Sequence, residues 1–205
     1  HETALMVAAY QKGRRKDGEA IYQAIRKNVT ETGINHPCGG NCGNPLLDEY
    51  IKYGYMPSEK GVVSKTLDYA FDDWCVGQMA SALGKKKDAK LFTERSKNYM
   101  NVFHPETKFV TRKDIKGEWD PEFDVFSNKG FIEGNSWQYS WYVPHDIPGL
   151  IRFVGKDLFN ERLEEGFIKS EEHKFSAHVF DRTMGQSAEF YINHGNEVNM
   201  CTPFL

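Results

Sequence analysis

Apolar residues recur at helical spacing along most of the chain, and the stretches between them are short and polar. From Glu2 to Gln11, Leu5, Ala8 and Ala9 share one face of a predicted helix. Gly13 to Gly18 reads as a basic turn. Asp17 then opens a second helix in which Ala20, Ile21, Ala24, Ile25 and Val29 keep the helical period. Gly33 to Pro45 is rich in glycine and proline and reads as a loop. Leu46 to Lys52 forms a short helix ending at Gly54, with Pro57 just beyond. The most apolar helix runs from Ser64 to about Leu83, where Gly84 stops it. Its residues Leu67, Ala70, Phe71, Trp74, Cys75 and Met79 cover much of the circumference, which predicts burial on most sides. Asp88 to Phe103 is amphipathic, with Leu91, Phe92, Arg95, Tyr99 and Val102 at helical spacing. Lys85, Lys86 and Lys87 read as its solvated end.

Beyond Pro105 the helical pattern breaks. Phe109-Val110-Thr111 and Gly117-Glu118-Trp119 are expected to pair as a small hairpin around Asp114 to Gly117. Trp119 either stacks on a ligand or anchors this loop. Later, Asn135 or Ser136 caps a short helix that Pro144 ends. Ile147 to Gly155 and Lys156 to Glu165 form a helix pair, and His173 to Asp181 is irregular. Helices in antiparallel pairs, joined by loops that alternate between short and elaborate, predict a mainly α fold of the α/α toroid kind with a small β-hairpin. Strand–helix alternation is missing, which argues against a parallel sheet.

Bulk properties narrow the function classes. At 205 residues and 40% hydrophobic content, the chain is long enough to bury one sizeable core as a single domain. A net charge of -3, with both signs interspersed, argues against a nucleic-acid-binding protein. No apolar run is long enough to span a bilayer, and no n-region and h-region of a signal peptide is present. The chain starts at His1, so the sequence is expected to be a piece of a longer one. Four cysteines are too few for a disulfide scaffold at this length, and Cys75 fits its helical pattern as a small core residue. Cys38 and Cys42 stand at C-x3-C spacing with His36 close by, but no second Cys/His pair follows. That stretch reads as a glycine-rich loop rather than a zinc site. Asn28-Val29-Thr30 matches a glycosylation triplet, a frequent accident.

The richest chemistry lies between Gly130 and Asp146. On a helix starting at Asn135 or Ser136, Trp137 and Trp141 lie one turn apart, with Gln138 and Tyr142 beside them. Glu133 precedes the cap on non-helical backbone next to Gly134. A carboxylate desolvated beside indole rings has a raised pKa and suits a general acid for sugar hydrolysis, and indole faces stack on sugars. The competing reading is a buried aromatic helix with a capping glutamate. Asp72 and Asp73 interrupt the apolar surface of the Ser64 helix. Being adjacent, they cannot share one face. One of them either meets sugar hydroxyls or makes a cap or buried ion pair with a neighbouring helix.

The run Glu133-Gly134-Asn135-Ser136-Trp137-Gln138-Tyr139, followed by Val143-Pro144-His145-Asp146, resembles the signature of the calcium-dependent, inverting exo-α-mannosidases of glycoside hydrolase family 92. Ser64 to Cys75, Phe103-His104-Pro105-Glu106-Thr107 and His194-Gly195-Asn196-Glu197 match further motifs in the family's order. The resemblance implies an (α/α)6 barrel that follows an N-terminal β-sandwich, of which residues 1–205 supply a part. It implies that Glu133 is the general acid and that Trp137, Gln138, Asp72, Asp73 and His194 bind the sugar. It also implies calcium at Asn196 and Glu197, mannose-containing glycans as substrates, and a periplasmic, cell-surface or secreted bacterial location. The family's base motif, of Gly-Asn-Asp-Asp type, has no match here, and Gly185-Gln186 lacks the acidic run before it. Residues 1–205 alone are therefore expected to be inactive, and to self-associate through apolar helix faces such as that of Leu67, Phe71 and Trp74. Many relatives continue past the glutamate with proline and histidines, whereas this chain reads Val198-Asn199-Met200-Cys201, so the linkage stays open. Asn196 and Glu197 also read as a plain helix start. Alternative readings of the whole are a non-catalytic carbohydrate-binding module on the same helical ring, or another exo-glycosidase on an α/α toroid.

Overall fold

A computed structural model describes residues 2–14, 17–172, 174–175 and 190–205. The described residues are mainly helical, the fold class of the α/α toroid. The chain divides into two compact units: His1–Met56 with Lys65–Asn101, and Pro57–Ser64 with Val102–Leu205. None of the described helices is long and apolar enough to cross a membrane.

The first unit holds α1 (Glu2–Gln11), α2 (Gly18–Asn28), α3 (Leu47–Tyr53), α4 (Ser64–Ala82, from Lys65 onward) and α5 (Lys86–Arg95), which tightens into a 3-10 turn over Ser96–Val102. These bounds follow the apolar period closely. The core joins Val7, Ile21, Tyr22, Ile25 and Val29 to Cys75, Val76, Met79 and Ala80 of α4 and Phe92 of α5. A second cluster gathers Leu47, Tyr50, Met56 and Tyr69. In α1 the inward face is that of Thr3 and Val7, while Leu5 stays 70% exposed. Alanines made the Leu5 face look apolar, but the branched Val7 is the side chain that meets the core. The Gly33–Pro45 loop contains a two-residue hairpin, β1 (Ile34–Asn35) against β2 (Asn41–Cys42), with Ile34 opposite Cys42. Cys38 and Cys42 are both exposed. Asn28 is held in the last turn of α2, its amide donating to Thr3 Oγ1 at 3.3 Å.

In the second unit the expected hairpin is rearranged. The turn at Asp114 forms as predicted, with Asp114 Oδ1 accepting from the amides of Lys116 and Glu118 at 2.8 Å. Its strands, however, pair Lys113 with Trp119, whereas Val110 pairs with Phe103. The asparate-capped turn closes over its nearest flanks, which frees Val110 to turn back onto the preceding segment. Trp119 packs on His104 at 4.9 Å between ring centres, the loop-anchoring alternative.

The capped helix is a single turn, α6 (Ser136–Tyr139), rather than a helix reaching Pro144. Asn135 is the cap, its Oδ1 accepting from Gln138 N at 3.0 Å. α7 (Ile147–Val154) starts at Asp146, whose Oδ1 accepts from Gly149 N at 3.0 Å. α8 (Lys156–Glu171) runs past the expected Glu165 end. Gly166 is not a stop there: a Cβ at that position would lie 3.1 Å from Ile192 Cδ1, so glycine permits a close approach inside the helix. Phe109, Trp137 and Tyr191 form this unit's aromatic cluster, joined by Phe123, Val125 and Phe126. Most of the His173 to Asp181 stretch lies outside the described residues.

Candidate functional site

The corner carrying Glu133 is built from four directions, all within the second unit. Ser64 N donates to Gly130 O, and Ser64 Oγ accepts from Ile132 N, both at 3.3 Å. Tyr139 Oη donates to Ile132 O at 2.7 Å. Asn196 Nδ2 donates to Glu133 O at 2.6 Å. Asn135 Nδ2 donates to Phe190 O at 2.9 Å. Glu133 itself has φ 54°, a left-handed conformation that costs a residue with a Cβ about 1 kcal/mol. Strain of this kind persists where the surroundings determine it, and it clusters at functional sites. Gly134 is required at the next position, because a Cβ would meet Gln138 Oε1 at 2.9 Å and the Tyr139 ring at 3.0 Å. The result is an exposed carboxylate on a rigid corner.

The aromatic surroundings differ from expectation. Trp137 and Trp141 are only 5% and 4% exposed. Trp137 lies among Phe109, Phe126 and Tyr191 at 4.7–6.1 Å between ring centres, and Trp141 meets Phe159 edge-on at 5.3 Å. Their ring faces are packed into the core of this unit. Gln138 is also buried, at 1% exposure, and its Nε2 has no hydrogen-bond partner. Its Oε1 lies close under Gly134, so it packs against the Glu133 corner.

The His194-Gly195-Asn196-Glu197 stretch turns against this corner. His194 is half-buried, its ring stacked on Phe175 at 5.0 Å and 8°. Thr202 spends its hydroxyl proton on Asn199 O at 2.8 Å, so the 3.2 Å contact between Thr202 Oγ1 and His194 Nε2 requires the hydrogen on Nε2. Asn196 is buried and Glu197, the first residue of a 3-10 turn (Glu197–Asn199), is exposed. Asn196 Oδ1 and the Glu197 carboxylate are hard-oxygen donors of the kind calcium takes. Among the described residues no group of three His, Cys, Asp or Glu could hold a metal ion, so these two are at most part of a site. Asn199, noted above only as part of the 198–201 stretch, is fully buried; its Nδ2 donates to Gln138 O at 2.9 Å and its Oδ1 accepts from Asn193 N at 3.0 Å.

The two aspartates of α4, in the first unit, have separate fates. Asp73 is 1% exposed and takes a two-pronged ion pair from Arg95, with Nε at 2.8 Å and Nη2 at 2.5 Å, and a hydrogen bond from Tyr50 Oη at 3.0 Å. Burial pushes its carboxyl up to about 6 against the pull of Arg95. This is the buried ion pair of the two alternatives: Oδ2 takes two donors and Oδ1 one, all from neighbouring elements of the same unit. Asp72 is 7% exposed and lines an open hollow with Thr3, Asn28 and Asn44, whose Nδ2 donates to Asp72 Oδ2 at 3.1 Å. Burial raises its carboxyl too. Asp68, one turn earlier on the same face, was missed; helical spacing from Asp72 was the signal that could have found it. Burial first, then the charge of Asp72, pushes the Asp68 carboxyl up to about 7.

The described residues thus give a mainly helical frame that carries an exposed carboxylate on a fixed corner, with buried amides behind it. The chain belongs to glycosyl hydrolase family 92, whose catalytic domain matches residues 1–205. It is similar to a family GH92 α-mannosidase of Bacteroides thetaiotaomicron, with 32% identity, a TM-score of 0.77, and coverage of 100% of this chain and 25% of that one. A family GH92 inverting mannosidase from the same organism shares 33% identity at a TM-score of 0.74, over 80% of this chain and 22% of that one. An uncharacterized secreted glycosidase of Arthroderma benhamiae is 24% identical over 183 residues, which is 72% of this chain and 23% of the relative. The chain thus spans about a quarter of the length of the relatives it matches.

Proposed function

We propose that residues 1–205 are part of an exo-acting α-mannosidase that removes mannose from glycans with inversion, outside the cytoplasm, and that Glu133 is its general acid. The observation that carries this reading is the Glu133 corner, an exposed carboxylate on left-handed backbone held by side-chain and backbone bonds on both flanks. A group that must protonate a departing glycosidic oxygen needs a fixed direction and access to the ligand, and the corner provides both. Inversion requires a second carboxylate that activates water on the opposite ring face, roughly 6.5–9.5 Å away. The family's base motif finds no match in residues 1–205, so that partner belongs to other parts of the enzyme. Asp72 remains the α4 carboxylate suited to hydroxyl contacts, and the 198–201 stretch is the place where α-1,2 or a related linkage is selected.

Calcium fits as an expectation on the donor set: Asn196 Oδ1 and Glu197 would hold it together with oxygens of water, sugar and other segments. When bound, it would grip sugar hydroxyls.

Replacing Glu133 by Gln in the complete enzyme tests the acid. Turnover should fall by about 100-fold or more on mannosides with poor leaving groups, and far less on activated aryl mannosides, whose oxygen leaves with little protonation. Equal losses on both would remove Glu133 from the role and favour a binding contribution.

A further inference from the structure

We propose that Asn196 is a positioning residue for the acid: its side-chain amide grips the Glu133 carbonyl and so sets the direction of the Glu133 carboxylate. The inference rests on Glu133 being the general acid, and it assigns Asn196 a task apart from metal ligation.

The geometry is specific. Asn196 is buried, with its Nδ2 2.6 Å from the Glu133 carbonyl. That carbonyl belongs to the residue with φ 54°, where the backbone does not rest unaided. The preceding carbonyl, of Ile132, is taken by Tyr139 Oη at 2.7 Å. Two consecutive peptide oxygens are therefore each held by a side chain from a different element. Below them, Gly134 leaves no room for the corner to sink, since Gln138 and Tyr139 already fill the space a Cβ would take.

Asn196 is itself kept in place. Its backbone amide donates to Asn193 O at 3.2 Å, and three residues on Asn199 ties the same turn to α6 through Gln138 O at 2.9 Å. Two asparagine amides thus run in parallel from one turn into the acid-bearing segment, at Glu133 and Gln138. Because Asn196 spends only Nδ2 on Glu133, its Oδ1 stays available to another ligand, so positioning and metal ligation are compatible in one side chain and separable by substitution.

Asn196→Asp in the complete enzyme makes that separation. Aspartate keeps an oxygen at the Oδ1 position and removes the donor, setting a carboxylate oxygen against the Glu133 carbonyl. Expected results are calcium affinity equal to or tighter than that of the parent, a turnover loss of about 10- to 100-fold on poor leaving groups, and a loss within about threefold on activated aryl mannosides. Hydrogen exchange of the peptide spanning residues 130–135 should quicken in the same variant, and this arm does not depend on what Glu133 does. Unchanged exchange with unchanged turnover on poor leaving groups overturns the proposal. Weaker calcium binding with equal losses on both substrates overturns it as well, in favour of a metal ligand alone. If exchange quickens while Glu133→Gln shows no leaving-group dependence, the clamp stands as structure and the acid assignment fails.

Discussion

Asp72 and Asp73 are chemically identical neighbours, and what separates them is the partner each one finds. Asp73 meets Arg95, 22 positions along the chain, and nothing in the local pattern of α4 could name that guanidinium. The sequence showed that the two must point apart; only the packing of α5 against α4 showed which one would be consumed by an ion pair. Trp137 teaches the same lesson in reverse. Its place on the capped turn was legible, but the rings that bury it, Phe109, Phe126 and Tyr191, come from segments far apart in sequence. A consequence follows for Asp73. Arg95→Ala leaves a buried carboxylate without its counter-charge, which should cost roughly 3–5 kcal/mol of stability. Urea unfolding would read that loss, while KM of the complete enzyme for mannosides should stay within about twofold where the variant remains folded. A raised KM with stability intact would return Asp73 to the sugar.

At the scale of elements, the apolar period sufficed for α1, α2 and α4 almost to the residue, because each is long enough to repeat one face, while the short α3 was marked by Gly54 at its end. It failed where a helix is a single turn: α6 ends at Tyr139, and after Ser140 the chain is held by bonds such as Tyr142 N to Tyr139 O at 2.9 Å. It also failed where pairing is set by a turn, as for Val110 and Phe103. α4 carries a further property that the period hides. Asp68, Asp72 and Asp73 all have carboxyls raised by burial, to about 7 for Asp68 and about 6 for Asp73. Each binds its proton more tightly folded than unfolded, so stability from these groups is full below about pH 4 and is lost as pH rises toward 7. Asp68 faces Asp72 and Lys65, and Asn44 steadies Asp72. Asp68→Asn should therefore match the parent near pH 4 and exceed it in thermal midpoint near pH 8. A parent curve that climbs between pH 4 and 7, unaltered by the substitution, would contradict this account of α4.

For the whole molecule, fold class and family could be read from the order of the motifs, whereas exposed surface could not. Leu67, expected to sit on a bare apolar face, is fully buried, and Phe71 stacks on Trp74 at 6.1 Å. Among the described residues, the exposed apolar side chains include instead Leu5 and Met6 of α1, Ile34 of β1, Ile168 of α8, Met200 and Phe204, at 70%, 44%, 70%, 63%, 58% and 88%. They are spread over several elements, because the residues that turn outward are decided by what each helix packs against and not by its own composition. Scattered singly, such side chains are ordinary; they acquire partners where two copies bring them together into one patch. An isolated chain of residues 1–205 should then self-associate in solution, and its measured mass should fall when Leu5 and Phe204 are both replaced by Ser. The same preparation should show no hydrolysis of an α-mannoside, with or without added calcium, since an acid without an opposed base has no activated water to deliver. In the complete enzyme a chelator should abolish activity, and calcium should restore it better than magnesium, which demands a tighter octahedral site. Calcium-dependent hydrolysis by a clean monomer of residues 1–205 would mean that the base lies within them, and Asp72, the α4 carboxylate left without an ion pair to Arg95, would be the first to substitute.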